Sequence, residues 1–497
     1  KYLNFYCNLV LFQVILYLLF VLANNYTGEG FMEKKRNSFG GSLGFVLAAA
    51  GSAVGLGNIW RFPYLAAKDG GGLFLLIYII LALTFGYSLL TTEISIGRLT
   101  KQGPLTAYSK VKKGWGFLGF LGCLVPAIIM PYYCAIGGWV VKYLTVYLTG
   151  QGAAAAQDDY FTSFISSQTE PIITLLVFFF AVSFIIFLGV NKGIEKMSKV
   201  LMPVLLVLVI GIAIFSLTIS YTDAEGTRTG LDGFKILVVP NFKGITFGKF
   251  CNVVIDAMTQ LFFSLSVAMG IMVAYGSYVS DETDLKKSIN QIEIFDTAVA
   301  FLAGVMIIPA VFTFSGTAGM EASGPSLMFV ALPKVFAAMG KVGNFIGLLF
   351  FAMVLFAAIT SAISIMEAVV SSFMDAFHMS RTKATIIEGV IALAIGIVVC
   401  LGYNKLYFEI KLPNGSIAQI LDVLDYISNN ILMPLVAIFT CILIGWVVKP
   451  KTIIDEVEKS GGKMGRKNLY VVMIKFIAPL MLLILFVKSL GLINFGE

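Results

Sequence analysis

Apolar stretches of 18 residues or more recur along the whole chain, with charges confined to the short gaps between them. A run of that length crosses a bilayer core as a helix, so the pattern requires an all-α integral membrane protein with many spans. Eleven spans are expected, at roughly 42–68, 72–97, 117–148, 172–190, 198–221, 251–279, 288–316, 344–374, 384–403, 416–447 and 468–490. Composition agrees: 58% of the 497 residues are hydrophobic and 13% charged, where a soluble domain carries about 25% charged residues. The domain reading is one transmembrane unit over 32–490 and a short tail at 491–497 outside the membrane.

The net charge of +7 does not point to nucleic acid, because the basic residues are distributed by gap rather than clustered. With the start of the first span inside, the cytoplasmic gaps hold Lys34, Lys35 and Arg36; Arg98, Lys101, Lys110, Lys112 and Lys113; Lys192, Lys196 and Lys199; Lys286 and Lys287; Arg381 and Lys383; and the basic run from Lys449 to Lys467. The opposite gaps are poorer in basic residues and include Asp158, Asp159, Glu170, Asp223 and Glu225. Positive-inside bias explains this alternation and predicts a plasma-membrane (inner-membrane) protein whose body begins in the cytoplasm.

Residues 1–31 stand outside the scheme. The apolar run from Leu9 to Ala23 is short for a span, and Met32-Glu33-Lys34-Lys35-Arg36 reads as a natural start. Two readings stay open: an upstream extension that is not native, or an interfacial or signal-like segment.

The six cysteines, Cys7, Cys123, Cys134, Cys251, Cys400 and Cys441, lie in or at the ends of apolar segments without a CxxC pair, which suits packing. His378 is the only histidine, so a histidine-based metal site or hydrolase triad is excluded, and no P-loop or dinucleotide fingerprint occurs. An enzyme has no support, and no organic cofactor is expected.

Polar chemistry inside the membrane remains. The first span contains Gly51-Ser52-Ala53-Val54-Gly55-Leu56-Gly57-Asn58-Ile59-Trp60-Arg61-Phe62-Pro63, whose three glycines, asparagine, arginine and proline disfavour continuous helix. Backbone groups freed there cost several kcal/mol each unless something binds them, so a broken helix holding a ligand is expected. At a rise of about 1.5 Å per residue, Gly55, Tyr133, Ser264 with Ser266, Asp296, and Thr360 with Ser361 fall near one depth on five spans. An intramembrane carboxylate marks an ion or substrate path, which singles out Asp296; a protonated interhelical aspartate is the structural alternative. Its oxygen-rich surroundings suit a hard cation such as sodium.

These residues carry a family resemblance. The segment above, Phe262-Phe263-Ser264-Leu265-Ser266-Val267-Ala268-Met269-Gly270 and Thr360-Ser361 resemble the bacterial leucine transporter and its relatives, the neurotransmitter:sodium symporters. The resemblance implies a five-plus-five inverted repeat, about 42–221 and 251–447, with broken helices one and six and an extra helix at 468–490. It implies two sodium sites: one from Ala53, Asn58, Ser264 and Asp296 with the substrate carboxylate, the other from Gly51, Val54, Ala357, Thr360 and Ser361. The substrate carboxylate is expected at the Leu56 and Gly57 amides and the Tyr133 hydroxyl, and its ammonium at the Ala53, Phe263 and Ser264 carbonyls and the Ser266 hydroxyl. Ile129, Phe263, Ser266, Met269, Ser361 and Ile365 are implied to line the side-chain pocket. Arg61 and Asp425 resemble an outer gate over a Tyr133 and Phe263 lid, and Arg36, Tyr278 and Asp375 an inner one. Gly193 and Pro203 match a family spacing at which the fifth span could unwind, a generic kink being the alternative.

Three features bear on substrate and ions. Asp296 stands where the leucine transporter has asparagine and Ser264 where it has threonine, and Ala300 is neither the serine of chloride-binding members nor the glutamate that replaces chloride. The expectation is chloride-independent transport, with Asp296 supplying the charge. Gly55, where monoamine members carry aspartate, leaves room for a substrate carboxylate and predicts an amino acid, of hydrophobic or aromatic side chain. The function expected is sodium-coupled amino-acid import by alternating access; the alternative is a sodium-dependent amino-acid sensor or channel on the same scaffold.

Overall fold

The computed structural model describes residues 38–224 and 226–493. The 1–31 segment, Cys7, Arg36 and residues 494–497 of the tail lie outside the described residues.

Among the described residues, nine continuous helices are long and apolar enough to cross a membrane: Gly72–Thr100, Gly116–Leu148, Glu170–Phe187, Val190–Thr218, Leu285–Ser315, Lys341–Phe377, Arg381–Leu401, Ile420–Val448 and Lys467–Ser489. Two broken helices complete the expected order. Ser42–Ala53 and Gly57–Lys68 form the first span, bent by 49°. Phe247–Ser264 and Ile271–Ser277 form the sixth, so that the nine continuous helices are spans two to five and seven to eleven. Eleven spans in chain order are the architecture expected from the apolar runs.

The break in the first span is narrower than the residue types suggested. Gly51 lies within the first half-helix, and the backbone leaves the helix only at Val54 (φ −80°, ψ 82°). Pro63 does not break the chain either: it sits inside the continuous half-helix Gly57–Lys68, directly after the widened π turn Gly57–Arg61. The sixth span departs over residues 265–270, where Ser266, Ala268 and Gly270 have φ of 52°, 60° and 69°. A left-handed conformation is costly for a residue with a side chain. The second span compensates: the Ala268 amide donates to the carboxylate of fully buried Glu93 at 2.6 Å.

The fifth span begins at Val190, eight residues before its apolar run, because a widened π turn over Val190–Glu195 absorbs Lys192 and Gly193. Glycine is required there by close approach, since a Cβ on Gly193 would lie 2.0 Å from the Ile185 carbonyl. Pro203 sits inside the continuous helix that follows. The longest spans, third and eighth, pack along each other and place Tyr133, Thr360 and Ser361 beside the break in the first.

Candidate functional site

The two breaks meet at a buried cluster of oxygens. The Ser264 hydroxyl lies 2.7 Å from the Asn58 Oδ1 and 2.6 Å from the Asp296 carboxylate, and the Asn58 amide nitrogen donates to Asp296 at 3.0 Å. Asn58, Ser264 and Asp296 come from spans one, six and seven and are all buried. Tyr78 of the second span closes the cluster, its hydroxyl 3.1 Å from Ser264 Oγ and 3.3 Å from the second Asp296 oxygen. Asn58 starts the second half-helix of the first span and Ser264 ends the first half-helix of the sixth, so each sits where the backbone ceases to satisfy itself. Every acceptor in the set is a hard oxygen, and a small hard cation fits it. Ala300, one turn beyond Asp296, is fully buried and adds no polar atom.

A second group of oxygens lies where the first span crosses the eighth. The Thr360 hydroxyl donates back to its own helix, to the Phe356 carbonyl at 3.0 Å and the Ala357 carbonyl at 3.1 Å. Its proton thus committed, its lone pairs are left for another partner. The Ser361 hydroxyl donates to the Ser52 carbonyl at 3.2 Å. Gly51 packs directly against this turn, since a Cβ there would lie 3.3 Å from the Thr360 Cβ.

Between these groups runs a gap one side chain wide. A Cβ on Gly55 would fall 2.7 Å from the Ser361 Oγ and 3.5 Å from the Tyr133 hydroxyl. That hydroxyl is buried and lies beside the Leu56 amide and the Ser361 hydroxyl, yet completes a hydrogen bond with neither. An unpartnered buried phenol costs on the order of 1–3 kcal/mol. The Leu56 and Gly57 amides open the second half-helix, where the first N–H groups lack intrahelical partners and attract negative charge. Ile129, Met269 and Ile365 are buried and Phe263 partly so. The Ser266 hydroxyl donates to the Ser52 carbonyl and accepts from the Ser52 hydroxyl, both at 3.0 Å, tying the two breaks together and leaving it one further lone pair.

The charges at the two ends fall out differently from the sequence reading. Arg61 and Asp425 are not a direct pair: Arg61 lies over the Phe263 ring, 5.6 Å from its centroid, and forms no ion pair within 4 Å among the described residues. Asp425 instead accepts from Asn429, one turn on, at 2.5 Å. At the other end, Asp375 accepts from the Gly103 amide at 2.5 Å. The Tyr278 hydroxyl donates to Glu367 at 2.6 Å, and Arg381 binds the same carboxylate through both terminal nitrogens at 2.6 and 2.8 Å.

Sequence reasoning missed Glu367, Arg381, Tyr78 and Glu195. Glu367 was findable as a carboxylate within an apolar span, the signal that singled out Asp296. Arg381 was counted as a loop charge. Glu195, also treated as a gap residue, accepts from the Gly40 amide at 2.7 Å and from Lys199 at 2.6 Å, pinning the start of the first span to the fifth.

The fold and this midplane site define a multi-pass membrane transporter class, and comparison with known proteins narrows it. The model of the Sodium:neurotransmitter symporter family matches residues 36–168 and 157–495, and the chain belongs to that family. The sodium-dependent transporter YhdH of Bacillus subtilis is 32% identical over 471 residues, 93% of this chain and 100% of the relative. The sodium- and chloride-dependent taurine transporter of Homo sapiens is 25% identical over 474 residues, 85% of this chain and 73% of the relative. The crystal structure of MhsT in complex with L-phenylalanine is 34% identical, with a TM-score of 0.79 over 91% of this chain and 100% of that one. The architecture is therefore that of a member of the sodium-dependent symporter family with broken helices one and six.

Proposed function

We propose that the protein imports an amino acid with a hydrophobic or aromatic side chain, coupled to sodium and independent of chloride. The observation that carries this reading is the unpaired Tyr133 hydroxyl beside Gly55 and the Leu56 amide, next to the Asn58, Ser264 and Asp296 oxygens. A substrate carboxylate there would accept from the phenol and from the Leu56 and Gly57 amides, and its remaining oxygen would face the oxygen cluster.

In this reading Ala53, Asn58, Ser264 and Asp296 hold one sodium ion, completed by the carboxylate. Gly51, Val54, Ala357, Thr360 and Ser361 hold the second. Sharing the carboxylate couples the ligands, each raising the other's affinity by the same factor. Asp296 supplies the negative charge that an anion supplies elsewhere. Ile129, Phe263, Met269 and Ile365 bury an apolar side chain at about 25 cal/mol per Å², and the flexible Met269 widens the range accepted. MhsT was crystallised with L-phenylalanine, which supports an aromatic substrate here.

The gates are assigned by the same reading. The Lys68 end of the first span faces outside, consistent with the basic gaps, and Arg61 with Asp425 closes that path. Tyr278 and Asp375 join the inner gate, with Glu367 and Arg381 as its charged core, and Arg36 is assigned to it by resemblance alone. The inverted repeats run over 42–221 and 251–447.

Uptake of a panel of labelled amino acids into proteoliposomes, with sodium or potassium outside and chloride replaced by gluconate, tests the proposal. Sodium-dependent accumulation of phenylalanine, tryptophan or leucine without chloride is expected. Facilitated flux that never exceeds equilibrium would support the channel alternative.

A further inference from the structure

Arg466 closes the connection between the tenth and eleventh spans, and its guanidinium is engaged on its face and its edge. The face lies over the Tyr87 ring, 3.5 Å from the centroid. The edge reaches two neighbouring helices. Nη1 and Nη2 donate to the two carboxylate oxygens of buried Glu293 in the seventh span, at 2.8 and 2.6 Å, and Nη2 also donates to Asn290 Oδ1 at 2.7 Å. Nη1 donates in addition to the Leu83 carbonyl of the second span at 2.8 Å. A planar fork that stacks on an aromatic ring suits this set of acceptors, and a lysine ammonium does not. The connection is fixed at a second point, where Arg98 of the second span donates to Glu456 at 2.6 Å and to the Thr283 carbonyl at 2.8 Å.

Local structure makes these acceptors available. Over Ala82–Gly86 the second span widens into a π turn, and the Tyr87 amide, which would close an α-helical turn on Leu83, donates to the Ala82 and Thr84 carbonyls instead. The same turn packs on the break in the sixth span, since a Cβ on Gly86 would lie 2.5 Å from Leu265 Cδ1. On the seventh span, Asn290, Glu293 and Asp296 recur every three residues. That spacing keeps them on one side of the helix, with Glu293 and Asp296 about 4.5 Å apart along its axis.

The two helices that Arg466 joins are the two that meet at Asp296 Oδ2. Tyr78 of the second span donates to that oxygen at 3.3 Å, while Oδ1 stays with Asn58 and Ser264. Tyr78 thereby fixes which carboxylate oxygen faces the cluster, as outer partners orient metal ligands generally. We infer that Arg466 is a positioning residue for the sodium site. By holding the π turn of the second span against Glu293 of the seventh, it sets the approach of Tyr78 to Asp296 and, through that bond, the affinity for sodium. Arg466 touches neither sodium nor substrate. The inference rests on Asn58, Ser264 and Asp296 holding a sodium ion.

The test is the sodium concentration that gives half the rise in melting temperature of the purified full chain, with sodium chloride exchanged for choline chloride at constant ionic strength. Arg466→Gln alone would strand the Glu293 charge, so it is combined with Glu293→Gln, which leaves no buried charge unpaired. The double variant is expected to raise the half-saturating sodium concentration about three-fold, and Tyr78→Phe, which removes the orienting bond itself, about ten-fold. In the Tyr78→Phe background the Arg466 and Glu293 changes are expected to add nothing, because the bond they position is gone. A double variant that melts lower in choline at an unchanged half-saturation plays a structural role only, and overturns the inference. An equal further rise in the Tyr78→Phe background overturns it as well. If Asp296→Asn leaves the half-saturation unaltered, the sodium reading of the cluster itself fails.

Discussion

At the scale of single residues, the account turns on groups that are buried without a sufficient partner. Tyr133 is the plainest. If its hydroxyl binds the substrate carboxylate, Tyr133→Phe removes one charge-assisted hydrogen bond of about 1.5–3 kcal/mol. Substrate affinity is then expected to fall at least ten-fold, measured by equilibrium binding of labelled phenylalanine. Removing an unpaired buried hydroxyl should leave thermal stability unchanged or raised. Gly55→Asp addresses the same gap from the other side. Its Cβ meets Ser361 Oγ at 2.7 Å and its carboxylate repels the substrate's, so amino-acid uptake is expected to be abolished while the variant still reaches the membrane. The depth argument singled out Tyr133, Asp296, Ser264 and Thr360 from sequence because each carries a polar group that hydrocarbon penalises, and Gly55 because it disfavours helix. It could not find the direction of a hydroxyl. The two bonds that join Ser266 to Ser52 depend on three-dimensional placement.

At the scale of elements, spans and breaks separate what was legible from what was not. Eleven apolar runs gave eleven spans, because the bilayer fixes span length and leaves little else to compete. Boundaries were less readable: the π turn at Val190–Glu195 lets charged residues enter a span whose apolar run starts later. The capped break at Ala268 depends on Glu93 from another span, which local propensity does not contain. The inner network is likewise a product of assembly. Glu367 of the eighth span is fully buried and gathers Tyr278 from the sixth and Arg381 from the ninth. Glu367→Gln strips the counter-charge from Arg381, and breaking a buried pair costs about 3–5 kcal/mol. A lower melting temperature and faster substrate efflux through a destabilised inner gate are expected; unchanged efflux would exclude a gating role. Near the same end, Asp281 bridges Lys101 at 2.8 Å and Lys459 at 2.7 Å, and hydrogen bonds from these two lysines lower its carboxyl to about 2. A depressed carboxyl contributes stability that is present above its ordinary value near 4 and lost as pH falls through 2. A pH titration of thermal stability between 5 and 8 should therefore show no contribution from Asp281, with Asp281→Asn parallel to the parent.

At the scale of the whole molecule, the helices form a frame in which two interrupted spans place polar groups where a membrane protein otherwise excludes them. Family membership and sodium dependence follow from the chain's likeness to its relatives. The proposals of a substrate, two ion sites and chloride independence rest on the site's own oxygens and on Asp296 in particular. Composition and periodicity disclosed the membrane architecture. The symmetry between the halves was not legible from them, because an inverted repeat relates backbone paths rather than residue patterns. The measurement that tests the central claim most directly is sodium-driven phenylalanine uptake in proteoliposomes, with and without chloride, for the parent and for Asp296→Asn. The account predicts concentrative uptake by the parent in both media, and for Asp296→Asn a loss of sodium affinity of ten-fold or more that chloride partly restores. Full chloride dependence of the parent, or an unaltered sodium response in Asp296→Asn, would contradict it.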